Sequence, residues 1–400
     1  MKILFVHERF GDFGGAEANV SLTARELKLR EHEVGILHGA GTGHAEDEWR
    51  GTFAHSFALQ PKDNWTAIQS ALWDFQPDLL YVHKMADREV LEGLLASGIP
   101  VVRMVHDHDL YCMRRYKYNP LSRKICERAA GACCLFPCGA TLRRSRDNGL
   151  PFAWVSYAAK KEEIRLNQQF QRAVVATHYM QEELLRNGFD AGKIEVHPPV
   201  PCALEVSVRS SFSDRNRIIY AGQIIRGKGV DVLLRALARI RIPFECLILG
   251  EGNHRPYCEQ LSHRLGLTDR VRFEGYIPQP QLGAYYQEAS VAVLSSVWPE
   301  PFGAVGLEAM RYGVPVVAFD AGGIKEWLIG AYNGYLVPWM DCAAFACRVQ
   351  ELLLDKNLAR LMGERGRRLV DQKFQFSTYI SGLERMFAQV VDEAQKKANA

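Results

Sequence analysis

The sequence predicts an α/β protein of two domains, each a parallel β-sheet with helices on both faces. The chain has 400 residues, which is more than one ordinary hydrophobic core accommodates. Short runs rich in Val, Ile and Leu alternate with helical stretches, and this alternation is typical of parallel sheets. A stretch at 197–214, first rich in proline and then polar, separates two such series and predicts an exposed linker.

The predicted strands are continuously apolar, as expected for parallel strands that are buried on both faces of a sheet. The first series comprises 2–8, 33–39, 79–84, 100–107 and 173–178, and the second comprises 217–222, 244–250, 271–277, 291–296 and 314–320. Helical stretches lie between them, for example at 16–30, 229–240, 258–265 and 341–354.

The domain boundaries follow from the linker and from the last helix. We expect an N-terminal domain at 1–205 and a C-terminal domain at 206–375. The remaining segment, 376–400, contains a predicted helix at 376–396 with several apolar residues. The sequence leaves open whether this helix covers the second domain or crosses back to the first.

The composition is that of a globular enzyme. Hydrophobic residues make up 48% and charged residues 24% of the chain, and the formal net charge is only +3, so nucleic-acid binding is not indicated. No apolar run approaches the roughly 20 residues of a membrane-spanning helix, and the N-terminal run meets charge too early for a signal peptide. We therefore expect a cytoplasmic protein whose ten cysteines stay reduced.

Positive charge is concentrated in one segment of the first domain. Between residues 111 and 172 there are thirteen Lys or Arg residues against four Asp or Glu residues. Two interpretations remain open. The segment is either a solvated loop region or a surface for anionic lipid or for an acceptor that carries phosphate.

The most informative motif lies at 299–310 and reads PEPFGAVGLEAM. It follows the predicted strand 291–296, and its Pro and Gly residues form a loop that opens a helix. Free amides in the first turn of that helix favour a bound anion. Glu300 lies before the helix and Glu308 more than one turn inside it, so two carboxylates are available for hydroxyls at different points of one ligand.

This motif resembles the signature of glycosyltransferase family 4, in which two glutamates are separated by seven residues and Pro-Phe-Gly follows the first. The resemblance covers nearly all of 217–375, with matching segments at 250–252, 271–276, 308–318, 322–326 and 333–337. It implies the GT-B fold, in which two Rossmann-like domains face each other across a deep cleft. It also implies a transfer that retains the anomeric configuration of the sugar.

The resemblance implies a role for each matching residue of the nucleotide-sugar site. Glu308 is expected to bind the ribose hydroxyls of the nucleotide, and Glu300 is expected to bind hydroxyls of the transferred hexose. The other expected contacts are the backbone amides of Phe302, Gly303 and Ala304 with the sugar and diphosphate, and Tyr276 and Ile277 beside the base.

A second loop, at 220–230, resembles the phosphate-clamping Gly-Arg-x4-Lys-Gly loop of the family. Lys228 matches the lysine, and a cation here would neutralise the diphosphate as it leaves. The position of the arginine holds Gln223 instead. Arg226 lies nearby, and the sequence leaves open whether it takes over the phosphate contact.

Two loops of the first domain are also predicted to contact the ligands. Gly14 and Gly15 follow the first strand and let the backbone approach a ligand closely at a helix start. The resemblance implies that this loop lies against the diphosphate and the acceptor. His106 lies at the carboxyl end of the strand predicted in this region, at the place where the family has a histidine near the hexose. His83-Lys84 ends another strand and is a further candidate for acceptor contact.

No metal site is predicted. Asp107 and His108 are candidate ligands by residue type, but adjacent residues of a strand point to opposite faces and do not converge on one ion. Five cysteines at 112–138 lack the C-x2-C spacing of a zinc site. Reduced thiols are the simpler interpretation, and a zinc-stabilised insertion is the alternative.

The sequence therefore predicts a retaining, metal-independent hexosyltransferase without a cofactor, whose donor is a UDP- or GDP-linked sugar. Its expected catalytic residues are His106, Lys228 and Glu300. The acceptor is expected to be a saccharide or a lipid-linked saccharide in cell-surface glycan or lipopolysaccharide synthesis, with peripheral contact to the inner face of the membrane.

Alternative functions differ in how well the sequence supports them. The contiguous motif at 300–308 argues against an epimerase or a phosphorylase. Gln223 supports a partner subunit that binds the donor without turning it over. A metal-dependent redox or nucleic-acid protein built on the Cys-rich basic segment is the third alternative.

Overall fold

The structure of the protein is a computed structural model that describes residues 1–12, 14–60, 63–144, 152–200 and 208–399. The chain forms two compact units. Unit 1 comprises Met1–Lys117, Cys126–Ala203 and Phe376–Ala400, and unit 2 comprises Tyr118–Ile125 and Leu204–Gln375. The domain boundary predicted between 205 and 206 lies outside the described residues.

Within its described residues, unit 1 contains a sheet of seven strands that all pair in parallel. The strands of this unit are β1 Lys2–Phe10, β2 Glu33–Gly41, β3 His55–Ala58, β4 Leu79–Val82, β5 Val101–Val105, β6 Leu142–Arg144, β7 Phe152–Trp154, β8 Arg172–Val175 and β9 Ile194–Val196. Their order across the sheet is β3-β2-β1-β4-β5-β8-β9. β6 and β7 form a separate antiparallel pair.

Side chains at the start of several unit 1 helices explain where these helices begin. Asp63, Asp87, Ser156 and Thr177 each accept a hydrogen bond from a backbone amide of the following turn, as N-cap residues do. The helices are α1 Gly15–Leu29, α2 Glu46–Thr52, α3 Asn64–Phe75, α4 Arg88–Ala96, α5 Tyr157–Asn167 and α6 His178–Arg186.

Residues 208–375 of unit 2 contain a second parallel sheet, of six strands. They are β10 Arg217–Ala221, β11 Glu245–Leu249, β12 Val271–Gly275, β13 Val291–Leu294, β14 Val316–Phe319 and β15 Gly334–Val337. Their order is β12-β11-β10-β13-β14-β15. The inner strands β13 and β14 are buried along their whole length, which accounts for their continuous apolar sequences.

The helices of unit 2 follow its strands. They are α7 Val230–Leu237, α8 Arg255–Arg264, α9 Gln279–Tyr286, α10 Ala304–Arg311, α11 Cys342–Leu354 and α12 Lys356–Lys373. None of the described helices of the protein combines the length and the apolar character that crossing a membrane requires.

The last helix, α13 Phe376–Ala398, follows unit 2 in sequence but belongs to unit 1. Asn19 Nδ2 donates a hydrogen bond of 3.2 Å to the hydroxyl of Tyr379. The ring of Phe387 packs edge-on against Tyr81, with 4.9 Å between the ring centroids. All of these side chains are buried, so α13 forms part of the core of unit 1.

Both sheets have the doubly wound strand order of Rossmann-like folds, which confirms the predicted fold class. In each sheet the first strand, β1 or β10, lies between the second and the fourth strand of that series, so the winding reverses beside it. Ligands of such sheets bind outside the carboxyl ends of the strands at this switch point. These ends belong to β1 and β4 in unit 1, and to β10 and β13 in unit 2.

Candidate functional site

The switch point of unit 2 is occupied by a charged pair, Lys228 and Glu300. Lys228 lies in the turn 226–228 after β10, and Glu300 lies in the loop between β13 and α10. Because β10 and β13 are neighbours in the sheet, the loops that follow them meet at the same edge. Lys228 Nζ donates a hydrogen bond of 2.6 Å to Glu300 Oε1.

Glu300 Oε1 accepts two further hydrogen bonds. Trp298 Nε1 donates at 2.9 Å, and Ser296 Oγ donates to the same oxygen. Burial alone would raise the pKa of Glu300, but the charge of Lys228 and these hydrogen bonds outweigh burial and hold the pKa below its usual value. The carboxylate is therefore ionised at neutral pH. Its other oxygen, Oε2, accepts no hydrogen bond from the residues that the structure describes.

Two glycines let the loops at this edge approach one another. Gly229 has φ +66°, and a Cβ there would lie 2.0 Å from the backbone oxygen of Ser295. Gly250 follows β11, and a Cβ there would lie 1.9 Å from the oxygen of Gly222. Both contacts are too short for any side chain, so the geometry around Lys228 requires glycine at these positions.

The segment from Glu300 to α10 brings the remaining predicted donors of unit 2 to the same loop. The Glu300 amide donates to the oxygen of Ala321 at 3.1 Å, which fixes the backbone of this loop. Gly303 caps α10 with φ +80°, and Ala304 is the first residue of the helix. The carbonyl of Phe302 accepts a hydrogen bond from Trp327 at 2.6 Å, so the amides at 302–304 are held at a helix start, where anions bind favourably.

Glu308 is half-buried on α10. Burial raises the pKa of Glu308 to about 7, although the charge of Arg311 lowers it somewhat. Within the described part of the chain no group donates a hydrogen bond to this carboxylate. Donors such as ligand hydroxyls would stabilise its ionised form, which suits the predicted contact with ribose.

The two other candidate residues of the phosphate loop, Gln223 and Arg226, are both exposed. The backbone oxygen of Gln223 accepts a hydrogen bond of 3.0 Å from the hydroxyl of Tyr220. Arg226 Nη1 donates a hydrogen bond of 2.5 Å to the oxygen of Pro120. Arg226 therefore lies in the same turn as Lys228, while its side chain is bound to the segment that contains Pro120.

The predicted base contacts follow β12. Tyr276 is 73% exposed, and Ile277 is half-buried. An aromatic ring with this exposure presents a free face on which a planar base can stack. The structure thus leaves Tyr276 accessible to a ligand but does not bring it into contact with Lys228 or Glu300.

In unit 1, His106 lies beside His83 at the carboxyl ends of β5 and β4. His83 Nδ1 and His106 Nε2 are 2.8 Å apart, and the two rings stack with 5.1 Å between their centroids. Burial lowers the pKa of His106 to about 3 and the pKa of His83 well below its usual value. The pair is therefore neutral, with one ring donating a hydrogen bond to the other, and it lines a cavity of about 40 Å³.

Lys84 binds two carboxylates that follow β5. Its Nζ lies 2.7 Å from Asp107 Oδ2 and 3.2 Å from Asp109 Oδ2. The sequence argument that Asp107 and His108 are adjacent residues of a strand is wrong, because β5 ends at Val105. Side chains of this loop can therefore converge, and they do so on Lys84.

Gly14 and Gly15 lie at the start of α1, directly after the loop that follows β1. Gly14 is the N-cap of the helix. A Cβ at Gly15 would have no atom within 4 Å, so there is open space beside this helix start. Phe13, which lies in the same motif, is outside the described residues.

The described residues hold no group of three or more His, Cys, Asp or Glu side chains that is placed to bind a metal ion. The described cysteines are free thiols, including Cys112, Cys126, Cys133, Cys134 and Cys138 of the Cys-rich segment. Part of the basic segment, 145–151, lies outside the described residues.

Sequence reasoning missed two residues of the charged site, Ser296 and Trp298. Both lie between the end of β13 and Glu300, directly before or at the start of the loop that was predicted to face the ligand from residue 299 onward. The sequence does contain a signal for these two residues. The hydroxyl of Ser296 and the indole N–H of Trp298 are hydrogen-bond donors that need an acceptor when buried, and Glu300 is a nearby acceptor. Which oxygen they share is visible only in the structure.

Two family models match the chain. The model described as Glycosyltransferase Family 4 matches residues 13–200, and the model described as Glycosyl transferases group 1 matches residues 205–369. Together they cover most of both units.

Curated relatives are similar over part of their length. An uncharacterized glycosyltransferase of Methanocaldococcus jannaschii is 33% identical over 163 residues, 40% of this chain and 42% of the relative. A D-inositol 3-phosphate glycosyltransferase of Xylanimonas cellulosilytica is 30% identical over 54% of this chain and 56% of its own. A GDP-mannose-dependent alpha-(1-6)-phosphatidylinositol monomannoside mannosyltransferase of Mycobacterium tuberculosis is 29% identical over 50% of this chain and 54% of its own. The chain thus spans about half the length of the curated relatives it matches.

Solved structures show the same fold over nearly the whole chain. HepE of Anabaena, solved in complex with UDP, has a TM-score of 0.73 at 20% identity and covers 97% of this chain and 100% of its own. Sucrose-phosphate synthase of Thermosynechococcus elongatus has a TM-score of 0.74 at 19% identity, with 98% and 99% covered. These similarities establish the GT-B fold.

Proposed function

The chain belongs to glycosyltransferase family 4, and on this basis we propose that it transfers a hexose from a UDP- or GDP-linked sugar to a saccharide or lipid-linked acceptor. The transfer retains the anomeric configuration and needs neither a metal ion nor a cofactor. Unit 2 binds the donor and unit 1 binds the acceptor.

The observation that carries this proposal is the Lys228–Glu300 pair at the switch point of unit 2, with a hydrogen bond of 2.6 Å. A diphosphate competes with Glu300 for the ammonium of Lys228, and Glu300 Oε2 accepts hydrogen bonds from hexose hydroxyls. Glu308 binds the ribose, and Tyr276 and Ile277 lie beside the base.

We derive the chemical step from these groups. The acceptor hydroxyl attacks the anomeric carbon on the face from which the diphosphate leaves, through an oxocarbenium-like state. The bond from that carbon to the phosphate oxygen breaks, and this oxygen takes the proton of the acceptor hydroxyl. Lys228 and the amides at 302–304 stabilise the charge that develops on the diphosphate.

Unit 1 contributes a further contact with the sugar. We assign His106 to the hexose, because a neutral imidazole offers a nitrogen for hydrogen bonding without adding charge. Because Gly14 and Gly15 have no side chain, the open space beside the start of α1 accommodates the diphosphate and the acceptor.

We further propose a lipid-linked acceptor in cell-surface glycan synthesis, with peripheral contact of the protein with the cytoplasmic face of the membrane. The basic segment 111–172 supports this, because cations are attracted to anionic lipid. Phe136 and Trp154, in the same segment, are 86% and 73% exposed, and exposed aromatic side chains favour a membrane interface. The mycobacterial relative is named for a phosphatidylinositol-based acceptor, which is consistent with this choice.

Thermal unfolding in the presence of UDP, GDP and ADP, each with and without EDTA, tests the donor site. A ligand at 100 times its Kd stabilises the native state by about 2.7 kcal/mol. We expect UDP or GDP to raise the melting temperature, ADP to have a smaller effect, and the shift to survive EDTA. No shift with any nucleotide contradicts the donor site, and a shift that EDTA abolishes contradicts metal independence.

The variant Lys228→Ala extends the test to turnover. With sugars linked to the preferred nucleotide, its turnover should fall by about 100-fold or more, comparable to the loss of one transition-state donor. Lys373→Ala, which removes an exposed lysine of the same unit outside the matching family segments, should leave turnover near normal. Equal turnover of Lys228→Ala and wild type contradicts the assignment.

Gln223, in place of the family's arginine, supports a second candidate function, a partner subunit that binds the donor without turnover. The same measurements separate the two functions. Nucleotide binding without transfer from any sugar of the preferred series favours the partner subunit.

A further inference from the structure

Asp231 is a buried carboxylate, 2% exposed, in the first turn of α7, three residues after Lys228. Arg123 donates to both of its oxygens, at 3.1 Å to Oδ1 and 2.9 Å to Oδ2. Arg235 Nη1 also donates to Oδ2, at 3.0 Å. The Arg123 side chain is 12% exposed and that of Arg235 is 43% exposed, so Arg123 is the partner that shields this carboxylate from water.

Arg123 belongs to the short segment 118–125, which is part of unit 2 although its neighbours in sequence belong to unit 1. Tyr118 and Ile125 pair in an antiparallel bridge, and the Asn119 side chain accepts hydrogen bonds from two amides of the turn at 121–122. Arg123 has φ +60°, which costs a residue with a side chain about 1–2 kcal/mol. The contacts within the segment 118–125 maintain this backbone conformation of Arg123, and in this conformation the Arg123 side chain reaches Asp231.

The same segment contacts the turn that carries Lys228. The oxygen of Pro120 accepts the 2.5 Å hydrogen bond from Arg226. A Cβ at Gly227 would lie 3.4 Å from atoms of both Tyr118 and Trp298. The turn 226–228 is therefore held between the segment 118–125 on one side and the loop before Glu300 on the other.

We propose that Arg123 is a positioning residue for the donor diphosphate. By binding Asp231 it fixes the segment 118–125, and this segment holds the turn 226–228 in the shape that directs Lys228 to the phosphates. The inference rests on the function proposed above, and it names a part of the donor site that lies outside the family motifs described here.

The proposed role of Arg123 also explains how the site can bind a diphosphate with Gln223 at the position of the family's arginine. Because a neutral amide stands where the family has an arginine, the diphosphate needs a second cation. Arg226 is in the adjacent turn, and its hydrogen bond to Pro120 keeps the guanidinium at that turn. The segment 118–125 thus places this cation and supports the backbone that carries it.

Titration calorimetry with the preferred nucleoside diphosphate and with the corresponding monophosphate tests the proposal. In Arg123→Ala the ratio of diphosphate to monophosphate affinity should fall about ten-fold or more, where ten-fold corresponds to 1.4 kcal/mol. Loss of stability alone would weaken both ligands equally and leave the ratio unchanged. Arg235→Ala removes the other, more exposed cation from Asp231 and should leave the ratio within about two-fold of wild type.

Arg123→Ala also deprives the buried Asp231 of its better shielded cation and leaves it the more exposed Arg235, which destabilises the fold. The double variant Arg123→Ala, Asp231→Ala removes both charges, so its melting temperature should recover toward wild type while its affinity ratio stays low. An unchanged ratio in a folded Arg123 variant overturns the positioning role and leaves the proposed function intact. A wild-type chain that binds none of the nucleotides overturns both.

Discussion

At the scale of single residues, the hydrogen bonds that Glu300 accepts determine whether Lys228 can leave Glu300 and bind a diphosphate instead. A buried carboxylate that loses its only counter-ion costs several kcal/mol. Glu300 Oε1 also accepts from Ser296 and Trp298, so the carboxylate keeps two neutral donors when Lys228 turns to a diphosphate. When its ammonium turns to a ligand, two hydrogen bonds therefore still hold the carboxylate in place for the proposed contact with the hexose.

We expect Glu308 to make donor binding depend on pH. Its pKa is raised to about 7 by burial, so it is protonated below that pH and ionised above it. In the proposed contact, ribose hydroxyls donate to the ionised carboxylate, so binding should lower the pKa and release a proton. Affinity for the intact sugar nucleotide should rise up to about ten-fold per pH unit below pH 7 and level off above it.

Calorimetric titration between pH 5.5 and 8.5 measures this dependence. The sugar nucleotide is the suitable ligand because its two esterified phosphates do not titrate in this range, unlike the terminal phosphate of a free diphosphate. Glu308→Gln should bind more weakly than wild type at pH 8 and should lose the dependence on pH. A wild-type affinity that is constant across the range contradicts the contact between Glu308 and ribose.

The sequence identified Glu300, Glu308 and Lys228 because a family motif or a loop after a strand marks each of them. It missed Ser296, Trp298 and Arg123, whose importance comes from the atoms they reach. Arg123 lies more than 100 residues from Asp231 in sequence, and no local spacing predicts that contact. Contacts of this kind, between side chains that are distant in sequence, can therefore be identified only from the folded structure.

At the scale of secondary-structure elements, the ends of the sheets were hardest to predict. The inner strands are buried on both faces, and their apolar runs were recognised. β3 and β9 lie at the two edges of the first sheet and β15 at one edge of the second, and all three were missed. β3 alternates between half-buried and exposed residues, because an edge strand is covered by fewer neighbours and needs fewer apolar residues.

Gly229 connects the phosphate turn to α7, and its substitution tests how tightly the loops must pack. Gly229→Ala adds a Cβ at φ +66°, 2.0 Å from the oxygen of Ser295. A positive φ costs about 1–2 kcal/mol, and forcing atoms into a packed site costs about 1–3 kcal/mol more. We expect both lower stability in urea unfolding and weaker nucleotide binding, because Lys228 moves with the turn.

Gly266 provides a matched control in the same unit. It has nearly the same φ, +65°, but a Cβ there would have no atom within 4 Å. Gly266→Ala should therefore show only the cost of the positive φ and should leave nucleotide affinity unchanged. If the two alanine variants are equally stable and bind nucleotide equally, close packing of the loops is not what shapes the turn.

At the scale of the whole molecule, the charge counted from the sequence overstates the charge at the surface. The segment 111–172 has thirteen Lys or Arg residues and four Asp or Glu residues. Lys117, however, is only 2% exposed, and its Nζ lies 2.8 Å from Glu183 Oε2. This lysine therefore belongs to the interior and adds no charge to the surface. Sequence reasoning counts such residues as surface charge, since burial of a cation depends on a partner that is distant in sequence.

Enough cations of the segment remain exposed for a test of membrane contact. Arg115, Arg128 and Lys161 are exposed, and each cation near an anionic surface contributes about 1 kcal/mol. We expect the protein to sediment with vesicles of phosphatidylcholine that contain phosphatidylserine, and to be released as salt rises. Replacement of all three residues by Glu should weaken binding by at least about 100-fold, because attraction is lost and repulsion is added.

The control for this experiment changes the net charge equally at another place. Arg239, Arg241 and Lys373 are exposed cations of unit 2, and their replacement by Glu alters the charge of the molecule by the same amount. If the segment 111–172 is the contact surface, this second variant binds anionic vesicles nearly as well as wild type. If both variants lose vesicle binding equally, only the total charge of the protein matters. If wild type binds vesicles of pure phosphatidylcholine at high salt, charge does not drive membrane binding. Either result contradicts a basic membrane-contact surface and would favour the solvated-loop interpretation of the segment.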